Sequence, residues 1–415
     1  MKRSLPFGLV AAASAWMSTS RLVIGNWPGG MAPGDYPLDA SHAVNALAHG
    51  QVAAFLGAHP VMGPFSILLW APFAALAGNQ LGAYEWGAAP CVLAAGLLGL
   101  YLARLAQRRG SPRLAQIALV AICIVNPMTI VALQSGHPEE LLTAALCVGA
   151  VAVASEGHPR RAALLLGLAL ASKQWALIAV FPVLMALPRD RVRVGLGAAG
   201  VVLVLMLPGF LANPGAFAAS QGNAASTHRF VDAWSAWYPI AGSIPGVLAR
   251  SPDGVTGYPS QGGSSMIGSW AHSLIVLTAL VAPLALALRR RRFGLSGPDA
   301  MALLALLALV RCALDPVDNL YYHAPVLLAL VGWDALSSRE LPICTLLGTS
   351  AAILLWRLSP YLDPRTFNAL YLALILPAAI GIAANILRHR TARAAAPASS
   401  FPRRQAPPAL VSLRE

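Results

Sequence analysis

Residues 164–181 read LLLGLALASKQWALIAVF. The run approaches the roughly 18–20 apolar residues that cross a hydrocarbon core, yet Lys173 stands at its centre. A cation at that depth costs roughly 2.5–3.5 kcal/mol on insertion scales, so it calls for an anionic partner and a function. A lysine snorkelling from a helix end would avoid the cost, but Lys173 has apolar sequence on both sides. Whether the wider segment 162–187 crosses the membrane or breaks inside it decides the topology of everything around it.

The same question attaches to 61–80, which follows Pro60 and contains Pro64 and Pro72. The 415-residue chain is 57% hydrophobic and 11% charged, with a mean hydropathy of +0.64. That is more apolar surface than a soluble core can bury. Further runs read as spanning helices at 5–24, 84–103, 114–133, 139–155, 194–211, 268–288, 299–314, 320–336, 341–357 and 368–388. If both problem segments cross once, with Lys2 and Arg3 in the cytoplasm, the loops carrying Arg104, Arg108, Arg109, Arg113, Arg160 and Arg161 fall outside. That violates the positive-inside rule. If both turn back, every Arg-rich loop is cytoplasmic. The expected fold is an all-α polytopic membrane protein with about ten spanning helices plus two re-entrant or broken elements. Both elements should line a cavity, because non-helical backbone at membrane depth needs protein or water as a partner.

On this reading residues 1–390 form one transmembrane domain with outer loops 25–59 and 212–267. Residues 391–415, rich in Ala, Pro, Ser and Arg, form a disordered basic cytoplasmic tail. The start, MKRSLPFGLVAAASAW, resembles a signal peptide and is read as an uncleaved first helix. The formal charge of +13 lies in short stretches between apolar runs. It orients helices and is no nucleic-acid footprint. The five cysteines lie in or beside apolar segments, without metal-ligand spacing and without a disulfide framework.

Candidate chemistry gathers in the outer segments. Residues 34–51, GDYPLDASHAVNALAHGQ, carry Asp35 and Asp39 around Pro37. Asp39 also suits a helix N-cap before Ala40. The turn SGHPEE at 135–140 offers His137, Glu139 and Glu140, the two glutamates also being favoured in a helix's first turn. Arg311 sits near the outer end of an apolar helix, where its fork could hold a phosphate or pair with Asp315 at i,i+4. Asp315, Asp318 and His323 follow in DPVDNLYYH, and His228 and Asp232 lie in the long outer loop. No phosphate-cradling glycine loop, nucleophile elbow or zinc motif is present.

The order of these features resembles a known family. The acidic first loop followed by AHPVMGPFSILLWAPFAALA (58–77), then NPMTIVALQSGHPEELLTAAL (126–146), GLALASKQWALIAVFPVL (167–184) and DPVDNLYYHAPVLLAL (315–330), is similar to polyprenyl-phosphate-dependent glycosyltransferases of the GT-C fold. The likeness is to the family 87 type and to the GPI mannosyltransferase catalytic subunit. Two elements depart from the pattern: His59-Pro60-Val61 stands where the family has a Tyr-Pro-Pro-like segment, and His137-Pro138 where it often has Gly-Gln or Gly-Asn. The resemblance implies inverting transfer of a sugar, mannose first, from a polyprenyl-phosphate donor to a glycolipid or glycan acceptor outside the plasma membrane. It implies Asp35 as general base with Asp39 as the alternative. Lys173, Arg311 and His323 would contact the donor phosphate. His137, Glu139, Glu140, Asp315, Asp318, His228 and Asp232 would contact acceptor or sugar. Membrane lipids are the other partners; no cofactor is implied and no metal is indicated. The rival reading is a transporter or lipid flippase, whose sign would be broken helices at matching positions in two inverted halves; both broken elements here lie in the first half.

Overall fold

The computed structural model describes residues 5–20, 34–60, 62–226, 230–241, 261–262, 265–290, 294–337 and 340–394. These residues are helical apart from turns, loops and one two-residue antiparallel pairing of Phe230–Val231 with Gln261–Gly262. His228 and most of the basic tail lie outside the described residues.

The bundle is built around one helix, Glu139–Ser155. Every residue in it from Glu139 to Ala154 is buried. It packs on Gln80–Arg108, Pro159–Leu170, Gly297–Leu314 and Ala324–Ser337. Small residues permit the close approach: Ala144, Ala150, Ala152 and Ala154 are all buried, and Gly149 meets Leu165. At 17 residues this helix is about 26 Å long, short of a bilayer core, but protein rather than lipid surrounds it. The outer helix Arg191–Ala212 is its opposite. Leu196, Leu203, Val204 and Leu211 stand exposed along it, an apolar face suited to lipid.

Six described helices are long and apolar enough to cross a membrane: Gln80–Arg108, Arg113–Gln134, Arg191–Ala212, Trp270–Arg289, Gly297–Leu314 and Pro364–Arg388. The chain is a multi-pass membrane protein. The other segments read as spans are shorter, including Leu5–Thr19, Ala324–Ser337 and Ile343–Leu358. Even Arg113–Gln134 is interrupted. Its first part ends at Ile124, and Asn126 caps the second, accepting from Thr129 N at 2.9 Å while Pro127 occupies the first turn.

Both problem segments are broken elements. Pro159–Leu170 ends before Lys173, which stands in extended backbone, and the chain resumes as a 3₁₀ turn, Gln174–Ala179, and a short helix, Val180–Ala186. The described part of the 61–80 segment holds the short helix Pro64–Ala74 and reaches the start of Gln80–Arg108. The two breaks satisfy each other. Gly63 N donates to Ser172 O at 2.7 Å and Phe65 N to Ala171 O at 3.1 Å. A Cβ at Gly63 would overlap the Ala171 carbonyl. Open backbone inside an apolar environment thus finds its partner in another open backbone.

Candidate functional site

The acidic loop is fixed onto the SGHPEE turn. Gly34 has φ +53°, and a Cβ there would run into the Ser135 carbonyl. That carbonyl accepts from Asp35 N at 3.1 Å. Asp35 then caps a single helical turn, Tyr36–Asp39, with Pro37 tolerated in its first positions. Tyr36 is fully buried and locks the turn against Trp70 and Tyr84. Asp39 does not cap the next helix; Ala40 occupies that N-cap, without a side-chain bond. Asp39 instead sits one turn after Asp35, and both face His137.

From Asp35 a chain of charges runs inward. His137 Nε2 lies 3.0 Å from Asp35 Oδ2 and its Nδ1 lies 3.0 Å from Glu139 Oε1. Glu139 Oε1 also takes Lys173 Nζ at 2.9 Å, and Lys173 reaches Glu140 Oε1 at 3.3 Å. Trp175 Nε1 closes the series by donating to Glu140 Oε2 at 2.8 Å. An imidazole bonded to a carboxylate at each nitrogen donates to both only when doubly protonated. Burial opposes the charge on His137, but Glu139's charge and the hydrogen bonds that the imidazole donates to both acids outweigh it and raise its pKa to about 9. The sequence of signs is therefore minus, plus, minus, plus, minus.

Only the first member opens to the outside: the Asp35 side chain is 61% exposed, against 9% for His137 and 0% for Glu139. The hydrogen bond from His137 holds Asp35 below the usual carboxylate range, against partial burial. For Asp39 burial is the largest influence and pushes the carboxyl up, with His137's charge opposing it. Two acids one turn apart are driven toward different protonation states.

Lys173, read from sequence as a cation for a donor phosphate, is engaged by Glu139 and Glu140, which supply the anionic partner its depth demanded. Arg311 is different. Its guanidinium lies between the rings of Trp175 and Tyr322, 4.9 and 4.7 Å from their centroids. Among the described residues no carboxylate lies within 4.0 Å of it, Asp315 included.

Asp318 and His323 belong to a second cluster. The Tyr371 hydroxyl stands between them, 3.0 Å from His323 Nε2 and 3.2 Å from Asp318 Oδ2. Trp234 packs on His323, Tyr371 and Phe367. Asp315 is buried and accepts from Val317 N at 3.2 Å. The two clusters meet through Tyr321, whose ring stacks on His137 at 5.1 Å. Ligand atoms of Cys312, Asp318 and His323 lie within 4.8 Å of one another, as do those of Asp35, Asp39 and His137. In the latter group both imidazole nitrogens are already bonded to carboxylates.

Several site residues escaped the sequence reading, His59 among them. His59 lies in left-handed backbone at φ +41°, alone among the described non-glycine residues. Its Nε2 is buried without a hydrogen-bond partner among the described residues. It sits edge-on to Phe217 in an apolar groove lined by Phe55, Leu56, Met62, Leu205 and Met206. Gly63 also lines this groove, so it borders the break that carries Lys173. The signal was in the sequence, as the histidine of His59-Pro60-Val61.

The model of glycosyltransferase family 87 matches residues 61–316. The chain belongs to this family. The match takes in His137, Glu139, Glu140, Lys173 and Arg311 and begins beyond Asp35 and Asp39. Membership in glycosyltransferase family 87 makes sugar transfer the general chemistry of this membrane protein. Two solved structures are similar. ArnT from Cupriavidus metallidurans bound to undecaprenyl phosphate is 20% identical, with a TM-score of 0.49 over 95% of this chain and 72% of the other. The archaeal oligosaccharyltransferase AglB from Archaeoglobus fulgidus, in complex with an inhibitory peptide and a dolichol-phosphate, is 14% identical, with a TM-score of 0.42 over 92% and 55%. No curated protein sequence matches the chain.

Proposed function

We propose that this family 87 member transfers a sugar, mannose first among candidates, from a polyprenyl-phosphate donor to a glycolipid or glycan hydroxyl on the outer face of the plasma membrane, with inversion. The observation that carries the reading is the charge series ending in one exposed carboxylate, Asp35. An acceptor hydroxyl needs a fixed base, and Asp35 is held ionised by His137. The acceptor oxygen bonds the anomeric carbon as the bond from that carbon to the phosphate oxygen breaks. The hydroxyl proton passes to Asp35 and the polyprenyl phosphate leaves with the electron pair. Arg311, buried and free of a carboxylate within 4.0 Å among the described residues, is the cation best suited to the leaving phosphate.

Lys173 acts one step back, as a positioning residue. By neutralising Glu139 and Glu140 it sets the orientation of His137 and thereby of Asp35. The groove at His59 suits the prenyl chain, an apolar lining with one buried nitrogen that lacks a hydrogen-bond partner among the described residues. Asp39 remains the alternative base, favoured by its raised pKa.

The test is transfer from labelled polyprenyl-phosphate mannose in membranes carrying Asp35→Asn at wild-type expression. Removing a general base lowers the rate by about a hundred- to ten-thousand-fold. Full activity in that variant, with loss in Asp39→Asn, would move the base to Asp39.

A further inference from the structure

Beside the second cluster lies a cavity of about 300 Å³, walled by Asp232, Trp234, Asp318, Asn319, Ser359 and Phe367. That is the lower end of the range for small-ligand sites. Its walls come from three distant parts of the chain, and hydrogen bonds fix them. Asp232 N donates to Pro316 O at 2.8 Å and Ala236 N to Ala313 O at 2.8 Å. Trp237 Nε1 donates to Leu314 O at 2.7 Å. Asn368 Nδ2 donates to the carbonyls of Ala233 and Ser235, at 2.9 and 2.8 Å. The outer-loop segment carrying Asp232 and Trp234 is thus tied to 313–316 on one side and to helix Pro364–Ala394 on the other. A pocket held this way is formed before any ligand arrives.

Its chemistry is selective. Among the described residues no Lys or Arg lines it, while two carboxylates do, so the described lining disfavours an anion. Asn319 Oδ1 accepts from Leu320 N at 2.7 Å, which leaves the amide N–H groups as donors. Burial, then the charge of Asp315, raises the pKa of Asp232 to about 6, so the carboxylate accepts near neutrality and donates as well once protonated at mildly acidic pH. Trp234 and Phe367 add aromatic walls. Aromatic faces with planar amide and carboxyl groups between them match a ring that is apolar on its C–H face and hydroxylated at its edge.

We propose that this cavity is a recognition subsite for an uncharged, hydroxyl-rich sugar ring. The ring belongs to the acceptor, an assignment that rests on the function proposed above, whereas the binding itself does not. The segment 318–323 joins the subsite to the charge series: Asp318 and Asn319 line the cavity, and Tyr321 stacks on His137.

Two measurements on the full-length protein in lipid nanodiscs test this. Saturation-transfer NMR with methyl α-mannoside and methyl β-glucoside reads binding directly. At least one glycoside should bind, with affinity lowered by about tenfold or more in Asp232→Ala and in Trp234→Ala. No binding of either, or binding indifferent to both cavity substitutions, overturns the subsite. The transfer assay separates the two sources of the ring. Trp234→Ala should raise the acceptor KM by about tenfold or more with the donor KM unchanged, and Trp234→Tyr, which keeps the platform, should restore it. A rise confined to the donor KM overturns the acceptor assignment. Thermal melting of each variant identifies loss of folding, in which case Asp232→Asn and Ser359→Ala carry the comparison; glycoside binding that ignores both overturns the proposal. Failure of all sugar transfer with glycoside binding intact would sink the proposed function and leave the subsite standing.

Discussion

The protein holds two buried polar clusters a few residues apart, and it treats their acids in opposite ways. Around Lys173 every carboxylate is answered by a cation: His137 lies between Asp35 and Glu139, and Lys173 between Glu139 and Glu140. Around Tyr371, Asp318 has a hydroxyl at 3.2 Å and an imidazole at 3.5 Å, and burial pushes its carboxyl well above the usual range. The first cluster is a series of charges, whereas burial drives the acid of the second toward its neutral form. A carboxylate in a membrane protein therefore announces chemistry only once its partner is known. The charged series can deliver an ionised oxygen to the surface; the other is fitted to hold hydroxyl groups.

Substitutions that remove one charge should separate the clusters most sharply. Lys173→Met leaves Glu139 and Glu140 buried beside each other, and breaking such a pair costs about 3–5 kcal/mol. Thermal unfolding in detergent should show this loss, with transfer falling in parallel because His137 loses its orientation. Unchanged stability would mean that the series of ion pairs does not hold in the membrane.

Stability against pH should distinguish the clusters by window. The folded pKa of His137 is raised from 6.5 to about 9, so its contribution is complete below 6.5 and is lost as pH rises through 9. The folded pKa of Asp232 is raised from 3.8 to about 6, so the corresponding loss falls between those values. His137→Gln should abolish the upper slope alone and Asp232→Asn the lower slope alone. A smaller effect follows for the backbone contact that fixes Asp35. Gly34→Ala puts a side chain at positive φ against the Ser135 carbonyl and should destabilise by upward of about 1 kcal/mol, with a larger fall in kcat than Ser41→Ala. Equal kcat in the two variants would show that the Gly34 contact does not position the base.

The membrane character and the breaks at 61–80 and 162–187 were legible because apolar length, proline and arginine placement report directly on topology. The family was legible from the order of loose motifs. Span lengths were less so: 139–155 and 320–336 read as spans, yet the first is a short helix enclosed by protein and the second begins as a 3₁₀ turn, Leu320–His323. Apolar runs look alike whether lipid or protein faces them. The partners of Lys173 lie 33 and 34 positions earlier, and no local pattern links them. Trp175, Trp234 and Tyr371 were hidden for a related reason. An aromatic at the edge of an apolar run reads as an interfacial anchor, and only the fold shows which one carries a hydrogen bond or walls a cavity.

The smallest expected effect is the most discriminating. Asp318 is buried, receives N–H from Asn319 at 2.8 Å and O–H from Tyr371 at 3.2 Å, and has no cation within 4.0 Å among the described residues apart from the imidazole of His323. Burial pushes the Asp318 carboxyl well above the usual range, toward the neutral form. Asp318→Asn then exchanges one neutral planar group for another and keeps an oxygen for the Asn319 N–H. Because both partners remain satisfied, the stability change should stay below about 1 kcal/mol, against about 3–5 for Lys173→Met. Acceptor KM should rise modestly, since the amide still presents a donor and an acceptor toward the cavity. A loss as large as that of Lys173→Met would mean that Asp318 is ionised in the folded protein, and the contrast between the two clusters would then fail at its central residue.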